Sequence, residues 1–459
     1  MTSAPSAVMA IMMGLLPIMW SPSAAFRISR DGGGCANVKN ARQSARDVPR
    51  AAIAVLMLAV FTVSVGYGIV LPLLPYLIER LLGEGGKAAQ VARATGLLTG
   101  AYSLALFVSA PIWGRLSDGL GRRRVLLIGL GGFGATMLIS SFVESLTAVY
   151  VERLLSGIFA GTVTPVAAAA ITDFATTEQR RARRLAFVSI AGGTGFLLGP
   201  MLGVLISRLA AGFFTINKAV GSIAMPLGAT ALLAFLVGLA VALALPGGKG
   251  TGRARNAESA PIAATTWVVP KLLVLTFIVS AGVGVFEVGL ALRGKQDLGL
   301  TPYQLGLMFS ECSLVMLVVQ AIVFSPWVKP DTTRWLIAPT LAVLAAALFL
   351  VPRASDFTLM LVVVGGVAAS AGVLSPILTY WISSKAGSSQ GWEIGKQTAA
   401  ASLGVTVGSA AGGLLFKVAA LQGASFVLTG GLALLGLLLS LGLPHLLVPR
   451  KLANTHRVA

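Results

Sequence analysis

Long apolar runs separated by short polar breaks recur down this chain. Twelve stand at 52–78, 94–114, 123–143, 146–170, 185–208, 222–245, 271–292, 303–326, 333–352, 356–382, 397–420 and 424–447. A helix needs about 20 predominantly apolar residues to cross the hydrocarbon of a bilayer, and each run is of that order. No run alternates polar and apolar positions as a membrane-barrel strand does, so the pattern predicts helices. The faintest division, between the third and fourth runs, is marked by Glu144 and Ser145. The stretch PGGKGTGRARNAESAPIAATTWVVPK at 246–271 is rich in Gly, Ala and Pro and has no period; it predicts a linker over 246–270 between two sets of six helices. The expected division is therefore an N-terminal six-helix bundle at 52–245, a C-terminal bundle at 271–447 and a short tail at 448–459.

Residues 1–51 break the pattern. The apolar run from Val8 to Trp20 is too short to span, and no positive charge precedes it as a signal peptide requires. A disordered N-terminal extension is expected there, with a membrane-lying anchor as the alternative.

Composition then fixes the class. Of 459 residues, 56% are hydrophobic and 11% charged, more apolar surface than a soluble chain of this length can bury. The net charge of +19 would ordinarily raise nucleic acid as a partner, but the basic residues cluster in short connections. The termini and even-numbered connections hold 25 of the 35 Lys and Arg, whereas Asp and Glu divide eight and eight. By the positive-inside rule both termini are expected in the cytoplasm, which places a multi-pass protein in the cell's inner (cytoplasmic) membrane with lipid around it and no nucleic acid. Two cysteines, Cys35 and Cys312, indicate neither a disulfide framework nor a metal site.

The two sets of helices match each other at an offset near 210. FTVSVGYG (61–68) aligns with FIVSAGVG (277–284), Gly161 and Pro165 with Gly372 and Pro376, and Gly195, Gly199 and Gly203 with Gly404, Gly408 and Gly412. Small residues four apart form a groove that admits a neighbouring backbone. Two related bundles flanking a midplane site is a plan of alternating-access carriers.

Four local patterns carry mechanism. GRLSDGLGRRR (114–124) places charges and glycines between the second and third runs. GGTGFLLGPMLG (192–203) sets a helix-bending Pro200 among the small residues of the fifth. GYGIVLPLLP (66–75) lies in the first run, and Arg153 with Gly157 in the fourth. On these motifs the chain, over about 52–447, resembles the major facilitator superfamily, and more particularly its twelve-helix drug/proton antiporter branch. Gly114, Leu116, Asp118, Gly121, Arg122 and Arg123 match the family pattern G-x-L-x-D-x-x-G-R-R/K. The resemblance implies a conformational latch of Gly114, Asp118, Gly121, Arg122 and Arg123, with Asp118 facing the positive end of a helix such as the eleventh. Gly195, Gly199, Pro200 and Gly203 are similar to the family's antiporter signature. Arg153 resembles the arginine that the family implicates in proton transfer; an Arg snorkelling to the outer surface is the other reading. The branch carries an Asp three residues before the first helix-1 glycine, and Val63 stands there in this chain.

Histidines occur only at 445 and 456, so proton coupling must fall to carboxylates, whose affinity for a proton responds to burial. Glu311 in the eighth run is the first candidate, Glu287 in the seventh is read as nearer the outer face, and Glu152 adjoins Arg153. Tyr67 and Gln320 are candidates for the substrate cavity. The chain lacks a G-x-x-x-x-G-K-[ST] loop and any Ser/His/Asp or metal cluster. The expectation is an all-α integral membrane protein of the major facilitator fold, not an enzyme. It would act as a monomer, without a cofactor, on a small amphipathic compound, exporting it by antiport with the proton gradient as energy source. An uptake symporter or an uncoupled facilitator of a metabolite is the alternative within transport, and a non-transporting receptor or scaffold the alternative outside it. Asp118→Asn separates the classes: a carrier loses substrate flux while reaching the membrane at normal abundance, whereas a scaffold keeps its function unchanged.

Overall fold

The computed structural model describes residues 50–83, 87–173, 178–213, 218–245, 267–323, 328, 332–385, 390–416 and 423–447. The predicted extension, most of the 246–270 linker and the 448–459 tail lie outside them. Twelve long helices follow in order: α1 (Arg50–Leu82), α2 (Ala88–Leu120), α3 (Arg122–Ser140), α4 (Leu146–Asp173), α5 (Glu178–Phe213), α6 (Lys218–Ala244), α7 (Val268–Gln296), α8 (Pro302–Val323), α9 (Thr333–Leu350), α10 (Phe357–Lys385), α11 (Gln390–Leu414) and α12 (Ala424–Ser440). A five-residue helix, α13 (Leu443–Leu447), closes the series, so the run predicted at 424–447 is broken at Leu441 and Gly442. Among the described residues ten helices are long and apolar enough to cross a membrane. The other two are α12, apolar over 17 residues, and α11, whose first turns carry Glu393 and Lys396.

Several helices outrun the apolar runs that predicted them. Span prediction stops at the first charges, but a helix need not, because long basic side chains find partners beyond the hydrocarbon. α7 continues from 292 to Gln296, and Arg293 in its last turn donates to the carbonyls of Pro352 and Ala354, both at 2.7 Å. α1 runs past 78 to Leu82, which lets Glu79 meet Lys295 of α7.

Buried apolar side chains gather in two clusters. One centres on α1–α6 around Leu98, Leu126, Leu130, Phe133 and Val163, with Val288 and Leu292 of α7 joining it. The other centres on α7–α12 around Phe286, Phe309, Leu344, Val364 and Phe426, with Leu71 of α1 joining it. The halves are thus two packed layers that share helices at their junction.

The internal repeat is visible as packing. A β-carbon placed on Gly195 of α5 would lie 2.5 Å from the Phe61 carbonyl oxygen and 2.9 Å from Ser64 Cβ of α1. One placed on Gly404 of α11 would lie 2.5 Å from the Phe277 oxygen and 2.9 Å from Ser280 Cβ of α7. The correspondence continues along both grooves: Gly199 meets Val65 where Gly408 meets Ala281, and Gly203 meets Ile69 where Gly412 meets Val285. Phe61/Phe277 and Ser64/Ser280 are the residues paired by the sequence repeat, so sequence and packing are duplicated together. One difference between the copies bears on the backbone. Pro200 in α5 removes a backbone donor, and its counterpart in α11 is the buried Ser409.

A further close contact joins the halves. Gly96 of α2 and Gly413 of α11 face each other, and a β-carbon on Gly96 would sit 2.6 Å from Gly413 Cα. Toward the other ends of these helices, a β-carbon on Gly114, Gly119 or Gly395 would meet nothing within 4 Å among the described residues. The pair is joined at the face where α1 ends and α2 begins, here the far face; the face carrying 114–124 is here the latch face. Gly413→Leu should therefore destabilise the purified protein by about 1–3 kcal/mol, the usual cost of overpacking. Gly431→Leu, at a position with nothing within 4 Å, should leave thermal unfolding close to wild type; melting in detergent measures both.

Candidate functional site

The middle of the molecule is organised around charges that hydrocarbon cannot solvate. α4 reaches α2 closely because Gly157 has no side chain: a β-carbon there would lie 2.5 Å from the Tyr102 carbonyl oxygen. Ser109 and Trp113 of α2 fasten this contact by donating to the Ile158 carbonyl at 3.2 and 2.9 Å. The packing brings Arg153, one turn before Gly157, to 5.9 Å from the centre of the Tyr102 ring. Arg153 is 4% exposed, so it does not snorkel to the surface. Its guanidinium donates to the neighbouring Glu152 carboxylate through Nε at 2.6 Å and Nη2 at 2.9 Å, a forked, charge-assisted arrangement.

Tyr102 begins an aromatic stack. Tyr67 of α1 lies against it at 5.2 Å between ring centres, and Phe196 of α5 lies against Tyr67 at 5.6 Å. Phe196 stands one turn before Pro200, so the antiporter-like segment contributes both the helix-interior proline and one face of the stack. From this position the Tyr67 hydroxyl donates to Glu287 Oε2 of α7 at 2.8 Å. The sequence placed Glu287 toward an outer end. Because α7 continues to Gln296, the residue lies nine residues, about 13 Å at roughly 1.5 Å per residue, from the end of its helix. Its carboxylate is seated between the halves.

Glu311 of α8 is the second interior acid. Its Oε2 is buried without a hydrogen-bond partner among the described residues, and its Oε1 would lie 3.6 Å from a β-carbon on Gly365 of α10. The adjacent Ser310 donates to the Leu197 carbonyl of α5 at 3.1 Å, which ties α8 to that helix. Gln320 lies nine residues further along α8, about 13 Å by the same rise, near its latch-face end. The structure therefore brings Tyr67, Glu287 and Arg153 into one neighbourhood and places Gln320 outside it. A small cavity of about 10 Å³ bounded by Tyr67, Thr99, Tyr102 and Arg153 has the room of one water molecule.

On the far face the halves are held by polar contacts that sequence reading missed. Lys295 of α7 pairs with Glu79 and donates to the Pro75 carbonyl of α1 at 3.1 Å, its ammonium 4.8 Å from the Tyr76 ring. Tyr76 donates to the Leu300 carbonyl at 2.5 Å, and Gln296 to that of Ala88 at 3.1 Å. Arg208 of α5 lies 4.5 Å from the Tyr303 ring of α8. The available signal was the placement of Glu79 and Lys295 just beyond predicted span ends, with Tyr76 in the last turn of the first.

The latch residues form a tight corner. Gly121, at φ +93°, joins α2 to α3 in a conformation that favours glycine, and its N–H reaches the Ser117 carbonyl at 3.1 Å. Arg122 pairs with Asp118 at 2.7 Å and also donates to the Ser117 hydroxyl; Arg123 is half-buried beside it. Asp118 is 61% exposed. Its partner among the described residues is the arginine of its own corner; the residues leading into α11, 386–389, lie outside the described ones, and with them the expected apposition to that helix.

Comparison with known proteins follows the same lines. A family model described as Major Facilitator Superfamily matches residues 56–392. Multidrug resistance protein 2 of Bacillus subtilis (strain 168) is 25% identical over 374 residues, 79% of this chain and 88% of the relative. The quinolone resistance protein NorA of Staphylococcus aureus (strain COL) is 25% identical over 370 residues, 80% and 90% of the two chains. Among solved structures, the human organic anion transporter MFSD10 (TETRAN) superimposes with a TM-score of 0.63 at 21% identity, over 85% of this chain and 99% of its own. A D-xylose-proton symporter does so with a TM-score of 0.67 at 13% identity, over 85% and 97%.

The Glu152–Arg153 pair makes a direct prediction. Arg153→Met strands a buried carboxylate and should cost about 3–5 kcal/mol of stability. The double variant Glu152→Leu/Arg153→Met should recover most of that loss, read as the melting temperature of the purified protein.

Proposed function

This chain belongs to the Major Facilitator Superfamily, a family of multi-pass membrane transporters and not of enzymes, and we propose that it exports a small amphipathic organic compound in exchange for protons. The observation that carries this reading is the pair of interior acids at the junction of the halves. Glu287 is held by Tyr67 across the junction, and Glu311 has a buried oxygen without a partner among the described residues. Intramembrane carboxyls are costly and mark ion or proton pathways, and a carboxyl in such a place takes up and gives off protons as water reaches or leaves it. The Tyr67, Tyr102 and Phe196 rings beside an acid suit an amphipathic ligand. Two relatives named for multidrug and quinolone resistance support the same substrate class.

In this reading the bundles 52–245 and 271–447 rock about the site as a monomer. The 114–124 corner closes the cytoplasmic side in one state, and the Glu79–Lys295 contacts close the outer side in the other. The arrangement described here, held shut at the far face by these contacts, is then the state that receives substrate from the cytoplasm. Val63, where the antiporter branch has an Asp, shifts the coupling role from helix 1 to Glu287 and Glu311.

Everted membrane vesicles test the proposal, with the planar cationic dye ethidium as probe and an acid-inside gradient as drive. Wild-type vesicles should accumulate the dye and release protons in return. Glu287→Gln and Glu311→Gln should each fall to the level of vesicles without the protein at unchanged abundance. Gradient-driven accumulation that survives both substitutions would overturn the proton reading.

A further inference from the structure

We propose that Tyr67 is the positioning residue that makes the proton on Glu287 decide whether the empty carrier can turn over. The inference rests on the proton role of Glu287 given above and deepens it. Three observations carry it. The Tyr67–Glu287 hydrogen bond, at 2.8 Å, runs from α1 in the first half to α7 in the second. The Tyr67 ring is fixed by stacking on Tyr102 and Phe196, so its hydroxyl is aimed rather than free to follow the acid. Finally, the bond lies between the same two helices that Lys295 and Glu79 join on the far face, so it belongs to the set of contacts that separate when that face opens.

The groups around Glu287 leave this bond as its strong polar link. Arg153 of α4 is taken by Glu152 in a bidentate pair. Tyr102 of α2 lies on the other side of the Tyr67 ring. Cys312 of α8 lies within electrostatic reach of both Glu287 and Glu311, and among the described residues neither Cys312 nor Glu311 shares a hydrogen bond with Glu287. Ser409 of α11 is turned to the Gly284 carbonyl.

A phenol donating to a carboxylate makes a charge-assisted bond about twice as strong as one donating to a neutral carboxyl group. Ionised Glu287 therefore holds the far face shut. Once protonated, it holds the face less firmly. The difference between charged and neutral bonds corresponds to roughly tenfold in the equilibrium between the two states. The consequence is specific to exchange. A carrier that has released its proton to the cytoplasm and holds no substrate is kept in the inward-facing state, and substrate entering beside Glu287 competes with Tyr67 for the carboxylate and releases it. A symporter needs the reverse, because its empty form must return freely.

The test uses the full chain in proteoliposomes with an imposed proton gradient, a trapped pH dye and no substrate. Tyr67→Phe keeps the stacking ring and removes the hydroxyl. It should dissipate the gradient roughly tenfold faster than wild type, because the empty carrier now returns and each round trip carries a proton. Its exchange of ethidium should lose pH dependence in the turnover rate, and the half-saturating dye concentration should fall, because the dye no longer competes with the hydroxyl for the carboxylate. Glu287→Asp draws the acid back by one methylene and remains titratable; it should leak likewise, and it decides the matter if Tyr67→Phe fails to fold. Glu287→Gln should not leak. A folded Tyr67→Phe with wild-type leak and an unaltered pH profile, beside a Glu287→Gln that has lost coupling, overturns the role of Tyr67 alone. Retention of gradient-driven exchange by Glu287→Gln instead brings down the proton reading on which it rests.

Discussion

Hydrocarbon offers no water to a charged or hydrogen-bonding group, so each polar atom in the interior must find its partner within the protein. That constraint orders this molecule from its centre outward. Arg153 is acceptable at depth because Glu152 meets it with two bonds. Glu287 is acceptable because Tyr67 reaches it from another helix. The acid that is left incompletely served, Glu311, stands out for the same reason. Glycines make these meetings possible, since only a missing side chain at Gly157 lets α4 come near enough to α2 to deliver Arg153 to Tyr102. Polar satisfaction and close backbone packing are thus one requirement met by two kinds of residue.

The duplication of the α1/α5 contact in α7/α11 shows how the halves differ in use while agreeing in build. Both grooves seat the same Phe and Ser counterparts. In α5, however, Pro200 removes a backbone donor one turn after Phe196, and α8 leans on this region through Ser310 and Gly306. In α11 the corresponding Ser409 keeps the ladder intact, and the helix is pressed against α2 at Gly413. One copy carries the proline and the aromatic face of the site. The other carries the closest approach between halves.

Much of this was legible in the residues. The apolar runs gave the helices because length and composition alone govern insertion, and the glycine spacing announced the grooves because small residues four apart leave only one packing solution. The corner at 114–124 was legible for a similar reason: Gly121 at positive φ is a local demand. What could not be read was any feature that depends on which helix stands opposite. Glu287 looked peripheral because the charges of Arg293 and Lys295 appeared to end its span, and nothing local to residue 293 says that two carbonyls of the α9–α10 connection will receive it. Tyr67 was singled out as a cavity residue, but its hydroxyl's partner lies 220 positions away. Gln320 was singled out on polarity alone, and helical rise carries it from the centre.

Glu152 and Arg153 are consecutive residues of a single helix, and that adjacency has an electrical meaning. Their opposite charges ride together through any motion of α4, so the pair contributes no net displacement of charge along the membrane normal. A transmembrane voltage does work only on charge that moves through the field, and this couple is silent to it. Whatever sensitivity to membrane potential the molecule possesses must then come from groups whose ionisation changes during the cycle and from the cargo itself, leaving the most conspicuous cation of the interior without a vote.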